Sequence, residues 1–212
     1  SMSLQDDRKE YLNGELGDES LLSNPREMFL AWLEEYRLLG NSDSTAFALS
    51  TVSKDGTPDS RIVLLKEIRD EGFVFYTNYN SKKGRDISTN PNVHALFFWP
   101  EIERQIRIKG KVKKISRIES EKYFSSRPKL SQLGALSSNQ SEKIKSRIDL
   151  ELKFNSFKSD SGNDYDCPND WGGYYLSFEK IEFWQGRRSR MHDRLVFEIK
   201  SNSEWNSFRV QP

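Results

Sequence analysis

The stretch FWQGRRSRMHDR at 183–194 sets Arg187, Arg188, Arg190 and Arg194 beside His192, between an aromatic pair and a strand-like tail. A guanidinium binds anions through a planar fork of N–H donors, and an imidazole exchanges protons near neutral pH. His192 stands two residues from Arg190 and two from Arg194, so an extended backbone is expected to put all three on one face. Neighbouring cations are expected to lower the pKa of this histidine and favour neutral imidazole. Trp184 could cover a planar ring, although a lone histidine is more often structural.

Three other segments carry cations and hydroxyls. In SRIVLLK, Arg61 and Lys66 bracket the apolar run Ile62, Val63, Leu64 and Leu65, with Ile62 and Leu64 expected on the face of Lys66. In FYTNYNSKKG, Tyr76 and Thr77 precede Ser81, Lys82 and Lys83, whose side chains and nearby helix-start amides could hold a phosphate. A solvated basic loop explains the same letters. YFSSRPKLSQLGALSSNQS supplies Tyr123, Arg127, Ser131, Gln140 and Ser141, a donor set suited to a phosphomonoester dianion, or else a helix cap in a polar loop. Two separate clusters of this kind predict two phosphorylated ligands. The sequence holds no HExxH pair, no P-loop and no Ser-His-acid spacing, which weighs against metalloprotease, NTPase and hydrolase chemistry.

The elements that must position these groups are mostly β. NPREMFLAWLEEYRLLG reads as a helix with Asn24 as cap, Pro25 in its first turn and Gly40 as stop, with an apolar face of Met28, Phe29, Trp32, Leu33 and Tyr36. From residue 46 the period changes to two. AFALSTV, SRIVLLKEI and FVFYTNY, separated by turns, predict a three-stranded meander. A short helix around KKGRDISTN, strands VHALFFW and RQIRIKGKVKKI, a helix boxed by Ser116 and Glu119, and a longer helix over about 141–157 follow. SDSGNDYDCPND reads as a loop, its segment 159–170 polar enough to be disordered. Strands GGYYLSF, IEFWQ and RLVFEI and a last strand through Trp205 to Val210 complete the chain.

Many short strands without βαβ alternation predict a mainly β fold, a closed or split antiparallel barrel with peripheral α-helices. No glycine fingerprint opens a helix after a strand, which disfavours a Rossmann fold. Residues 1–23 are expected to be a flexible arm and 24–212 a single domain. The 212 residues carry 33 basic against 32 acidic side chains, so no global field attracts nucleic acid and any basic site is local. Cys167 is the sole cysteine, which excludes an internal disulfide or a cysteine-rich metal site and fits a reducing cytoplasm. No stretch reaches the roughly 20 apolar residues of a membrane helix, and the start lacks a signal peptide's apolar core, so neither membrane insertion nor export is expected.

The motifs RKEY, RIVLLK, FYTN followed by SKKG, ERQIRIKGKV, YFSSRPKLSQLGA, NQS and IEFWQGRRSRMHDR, in this order, resemble the pyridoxamine 5'-phosphate oxidase family over nearly the whole chain. The resemblance implies an FMN-binding split β-barrel acting as a homodimer, with a C-terminal dimerisation region and flavin at the subunit interface. It implies that Arg61, Ile62, Val63, Leu64, Leu65, Lys66, Tyr76, Thr77, Lys82, Lys83, Gln105, Gln140, Ser141, Trp184 and Arg194 bind FMN. Lys66, Tyr123, Arg127 and Ser131 match positions for the substrate phosphate. Arg190, Met191 and His192 match positions at its pyridine ring, with Arg190 and His192 catalytic. Arg8, Lys9, Glu10 and Tyr11 match an arm that covers substrate.

The implied reaction oxidises C4' of pyridoxamine 5'-phosphate or pyridoxine 5'-phosphate, with oxygen as final acceptor and peroxide released. Lys82 stands where many relatives carry arginine, RKEY where RREY is frequent, and RVQP where chains commonly end in RLAP. The competing readings are a split-barrel flavoprotein with another substrate, a noncatalytic binder of FMN or pyridoxal 5'-phosphate, and a small-barrel nucleic-acid binder using RIKGKVKK.

Overall fold

The computed structural model describes residues 2–40, 43–158 and 164–212. After a 3-10 turn at Asp18–Leu22 comes α1 (Pro25–Arg37), started by Asn24, whose side chain accepts from the Glu27 N–H. Its apolar stripe buries Phe29, Trp32, Leu33 and Tyr36, as the helical spacing predicts, while Met28 of the expected face is half-buried. β1 (Ala46–Val52) alternates half-buried and buried residues, and β2 (Pro58–Leu64), β3 (Glu67–Arg69) and β4 (Gly72–Asn78) follow. Then come α2 (Lys82–Thr89), β5 (Asn92–Trp99), β6 (Arg104–Lys114), α3 (Arg117–Ser126), α4 (Lys129–Ser137) and α5 (Arg147–Phe157). β7 (Trp171–Gln185), β8 (Asp193–Ile199) and β9 (Trp205–Arg209) close the chain.

The strands hydrogen-bond in the order β2-β1-β5-β6-β7-β4-β3, with β8 on β7 and β9 on β8. The mainly β class expected from the sequence is the class found. The three-stranded meander is corrected: the run SRIVLLKEI breaks at Leu65 and Lys66, so β2 pairs with β1 at one end of the path and β3 with β4 at the other. The helix expected over about 141–157 begins only at Arg147, because Ser146 caps it by accepting from the Asp149 N–H. α4 occupies a stretch for which the sequence offers a helix cap in a polar loop but no helix of its own. GGYYLSF and IEFWQ form one strand, and residues 159–163 of the expected disordered segment lie outside the described residues.

The chain divides into two compact units. The first comprises the described residues of Ser1–Leu49, His94–Gly110 and Phe178–Pro212. Aromatic contacts build its core: Phe29 on Phe97 at 5.3 Å, Trp32 on Phe183 at 5.2 Å, and Tyr36 stacked on Trp99 at 5.2 Å. Each such side chain, removed from water, contributes roughly 1.5–3 kcal/mol before entropy is counted. The arm is tied down in this unit. The N–H groups of Leu12 and Asn13 donate to the Glu103 carboxylate, and that of Leu16 donates to Asp193 at 2.9 Å.

The second unit comprises Ser50–Val93 and the described residues of Lys111–Ser177. Phe75 meets Tyr174, and Phe124 meets Trp171 edge-on at 5.4 Å. A Cβ on Gly84 would stand 1.9 Å from the Tyr79 carbonyl oxygen, so only glycine lets the first turn of α2 lie this close to the end of β4.

Candidate functional site

In the second unit a cavity of about 910 Å³ opens beside β2, β4 and the starts of α2 and α4. Its size falls within the range of small-molecule sites. The break at Leu65 and Lys66 shapes it. β2 ends with Ile62 and Leu64, 66% and 44% exposed, forming an apolar wall, while Leu65 turns inward and is buried. Backbone pairing resumes when the Lys66 N–H donates to the Val74 carbonyl, which leaves the Lys66 side chain on the cavity wall.

One pole of the cavity gathers Arg61, Lys82 and Lys83. Lys83 is 5% exposed, and its ammonium donates to Thr77 Oγ1 at 2.9 Å and Gln140 Oε1 at 3.3 Å. Among the described residues no carboxylate lies within ion-pair distance of it. Burial, and next the Arg61 charge, push its pKa down to about 8. A buried ammonium facing only neutral oxygens is costly unless an anion joins it. Arg61 donates to Thr51 at 2.6 Å and pairs with Asp59 at 2.8 Å. Lys82 grips both oxygens of buried Asp86 at 2.6 and 2.8 Å, and its N–H donates to Ser141 Oγ. Burial pushes Asp86 up, but hydrogen bonds from Lys82 and Thr51 outweigh it and hold the carboxyl below its usual range.

The other pole is aromatic and cationic. Tyr76 and Tyr123 stack at 3.8 Å, and the Arg127 guanidinium lies 4.7 Å over the Trp171 ring. Arg127 donates to the Ser131 carbonyl at 3.4 Å and has no carboxylate within ion-pair distance among the described residues. Burial depresses its pKa. Lys66 and Ser131 line the same cavity. Of the sequence-predicted residues, Arg61, Ile62, Val63, Leu64, Lys66, Tyr76, Thr77, Lys82, Lys83, Tyr123, Arg127, Ser131, Gln140 and Ser141 thus share one cavity.

Leu65 is buried behind the cavity lining in the same unit, and the remaining candidates lie in the first unit. The His192 ring meets Trp184 at 4.6 Å and Tyr11 at 5.6 Å. His192 Nδ1 accepts from the Arg187 N–H at 2.9 Å, so the neutral imidazole carries its proton on Nε2. Burial, then the charge of Arg190, lowers its pKa. The expected common face of Arg190, His192 and Arg194 is corrected: Arg190 sits in a 3-10 turn with φ +60°, following Ser189 at +55°, and β8 starts only at Asp193. Glu10 accepts from the Ser189 N–H at 3.3 Å, and Lys9 pairs with Glu103 at 3.6 Å. Arg8 is exposed, Met191 is exposed beside Tyr11 and Arg187 in a smaller cavity, and Gln105 is half-buried on β6. Arg194 forms a two-pronged pair with buried Glu182 at 3.0 and 2.9 Å.

Sequence reasoning missed Asp86, Glu182, Asp193 and Trp171. The Lys82–Asp86 spacing of four on a helix was a readable signal. The other three depend on strand register and loop closure, which have no local signature.

Fold and cavity together define a split-barrel protein with a cavity lined by several cationic side chains. Residues 32–159 match the family described as pyridoxamine 5'-phosphate oxidase, and residues 171–212 match the pyridoxine 5'-phosphate oxidase C-terminal dimerisation region. The chain belongs to the pyridoxamine 5'-phosphate oxidase family, as its motif order predicts. It is 51% identical to a pyridoxine/pyridoxamine 5'-phosphate oxidase of Leptospira interrogans, over 97% of this chain and 96% of that one. A namesake from Cytophaga hutchinsonii is 46% identical over 99% of both chains. Among solved structures, PhzG from Burkholderia lata in complex with tetrahydrophenazine-1-carboxylic acid superposes with a TM-score of 0.87 at 26% identity, covering 94% of this chain and 100% of that one. Among the described residues no helix is long and apolar enough to cross a membrane.

Proposed function

We propose that the protein is an FMN-dependent oxidase that converts pyridoxamine 5'-phosphate and pyridoxine 5'-phosphate to pyridoxal 5'-phosphate, with oxygen consumed and hydrogen peroxide released. The observation that carries this reading is a pair of cations, buried Lys83 and half-buried Arg127, that line one cavity and have no carboxylate within ion-pair distance among the described residues. Two phosphates, one on the cofactor and one on the substrate, answer both.

The Lys83 end fits the FMN phosphate. Its ammonium, the hydroxyls of Thr77 and Ser141 and the guanidinium of Arg61 offer charge and several donors, which a dianion needs. Ile62 and Leu64 offer an apolar wall to a planar ring. Bound there, FMN supplies the two-electron acceptor for C4', with oxygen as the final oxidant. Lys66, Tyr123, Arg127 and Ser131 hold the substrate phosphate and so fix the ring's position.

By family resemblance, Arg190 positions the amine or alcohol at C4' and assists its deprotonation. His192, with Nδ1 already occupied by the Arg187 N–H, presents Nε2–H as a donor toward the pyridine. Gln105, Trp184 and Arg194 complete the flavin site, Arg8 to Tyr11 and Met191 cover the substrate, and the chain works as a homodimer through its C-terminal region. For the amine substrate the imine product hydrolyses to aldehyde and ammonia; the alcohol gives the aldehyde directly.

A second reading is oxidation of a different ring, since PhzG carries a tricyclic carboxylate rather than a phosphate. The Arg127 end favours the phosphate ester, because Arg127 and Lys66 together offer two cations to one anion. An aerobic assay of FMN-loaded protein decides. Equal appearance of pyridoxal 5'-phosphate and peroxide from pyridoxamine 5'-phosphate, with little from unphosphorylated pyridoxamine, is expected. Yellow protein without turnover on either phosphorylated vitamer overturns the reading.

A further inference from the structure

We infer that Trp171 is a positioning residue that sets substrate affinity by holding the Arg127 guanidinium over its indole face. The inference rests on the reading of Arg127 as a ligand of the substrate phosphate.

What fixes Arg127 is otherwise slight. It ends no ion pair among the described residues, and its one recorded side-chain hydrogen bond is the 3.4 Å contact to the Ser131 carbonyl. An arginine has long, rotatable stems, and binding pays for each rotamer that must be frozen. The indole face 4.7 Å below the guanidinium carbon removes much of that freedom beforehand. A stacked guanidinium keeps its N–H edge free, so the same contact that holds the plane leaves donors for an anion. A carboxylate partner in that place would occupy the donors and cancel the charge.

Trp171 is itself firmly held. It is 5% exposed at the first position of β7, in register with Asn78 of β4. Its N–H donates to the Pro168 carbonyl, its own carbonyl accepts from Arg117 at 2.7 Å, and Phe124 meets it edge-on. Tyr76 and Tyr123 lie nearly parallel to the indole, with interplanar angles of 15° and 6°. Tyr123 and Arg127, both matched to the substrate phosphate, therefore take their orientation from one ring.

The test compares Trp171→Leu, Trp171→Phe, Arg127→Ala and the double variants. It uses steady-state turnover of pyridoxamine 5'-phosphate, and equilibrium binding of 4-deoxypyridoxine 5'-phosphate against 4-deoxypyridoxine, which have no oxidisable group at C4'. Trp171→Leu is expected to raise KM and the phosphorylated ligand's Kd about 5- to 30-fold, the span of a partly buried cation–π contact, with kcat within about 2-fold. Trp171→Phe restores most of the affinity and provides the same comparison should the leucine variant not fold. In the Arg127→Ala background the Trp171 substitutions should add less than about 2-fold. Additive losses, equal losses with the unphosphorylated ligand, or a fall confined to kcat overturn the inference. If Arg127→Ala alone leaves the preference for phosphate intact, the assignment of Arg127 fails, and the inference falls with it for that separate reason.

Discussion

In the first unit, Arg187, Arg194 and Arg209 end on carboxylates. Arg194 takes both oxygens of Glu182, Arg187 and Arg209 share Asp193 at 2.8 Å each, and Arg209 also reaches Asp18. In the second unit, Lys83 and Arg127 are surrounded by hydroxyls, a carbonyl and aromatic faces. The residue types are alike and the electrostatics are opposite. A cation neutralised inside the fold is a strut, whereas one buried without a counter-ion keeps its attraction for an incoming anion. The distinction sorts the arginines by partner rather than by exposure.

That contrast is most strongly tested at Arg194. Removing it leaves Glu182, 5% exposed, with Arg107 at 3.8 Å as its one ion-pair partner among the described residues. Arg194→Ala is expected to destabilise the flavin-free protein by about 3 kcal/mol, because an uncompensated buried carboxylate remains. For a chain of this size thermal unfolding should fall by roughly 6–12 °C. Unchanged unfolding would instead remove the structural role and leave Arg194 as a flavin ligand alone.

Lys83→Met is the converse. FMN affinity is expected to drop at least about 30-fold, the smaller end of the cost of deleting one partner from a buried charge pair. The flavin-free protein should unfold no earlier than the parent, since the substitution removes a buried charge that has no counter-ion among the described residues. Equilibrium dialysis of FMN and a thermal melt read both; a variant that keeps FMN yet melts early reverses the assignment.

The same lysine predicts a pH signature. Its folded pKa, about 8, lies below the ordinary value of 10.5, so between these pH values the unfolded chain binds more protons than the folded one. Stability of the flavin-free protein therefore rises as pH goes from about 8 toward 10, relative to Lys83→Met. FMN binding runs the other way. A phosphate raises the lysine's pKa, so binding takes up a proton and weakens as pH climbs through about 8. Parallel curves for parent and variant would remove Lys83 from the phosphate site.

How much of this was legible depended on whether a signal was local. β1, β5 and β6 alternate apolar and polar residues, and the caps Asn24, Ser81 and Ser116 stand in the sequence as written. The break after Leu64 was hidden, because IVLLKEI contains no glycine, proline or asparagine to mark it. α4 was hidden by the glycine and serines in KLSQLGALS. The site cations were readable as types, and motif order supplied their ligands. Their counter-ions were not: Glu182 and Arg194 meet because β7 pairs with β8 in a register that sets Trp184 opposite Arg194. The turn at Ser189 and Arg190 reads as strand by composition, and its positive φ angles appear only in three dimensions.

Lys82 stands between the two behaviours and gives the smallest effect. It lies at the ligand end of the second unit, yet both Asp86 oxygens hold its ammonium. A lysine is a point charge with three donors, so two spent on Asp86 leave little for a phosphate; an arginine's five-donor fork can hold the carboxylate and still offer an edge. Lys82→Arg is accordingly expected to tighten FMN binding about 3-fold, roughly the yield of one added hydrogen bond in a partly solvated site. Asp86→Asn in the same titration supplies the control, because it frees Lys82 without changing the cation. Tightening in both variants places Lys82 with the ligand groups and makes Asp86 its competitor. An unchanged affinity in both makes the Lys82–Asp86 pair a strut of the Arg194–Glu182 kind, with Lys83 and Arg61 left to neutralise the phosphate.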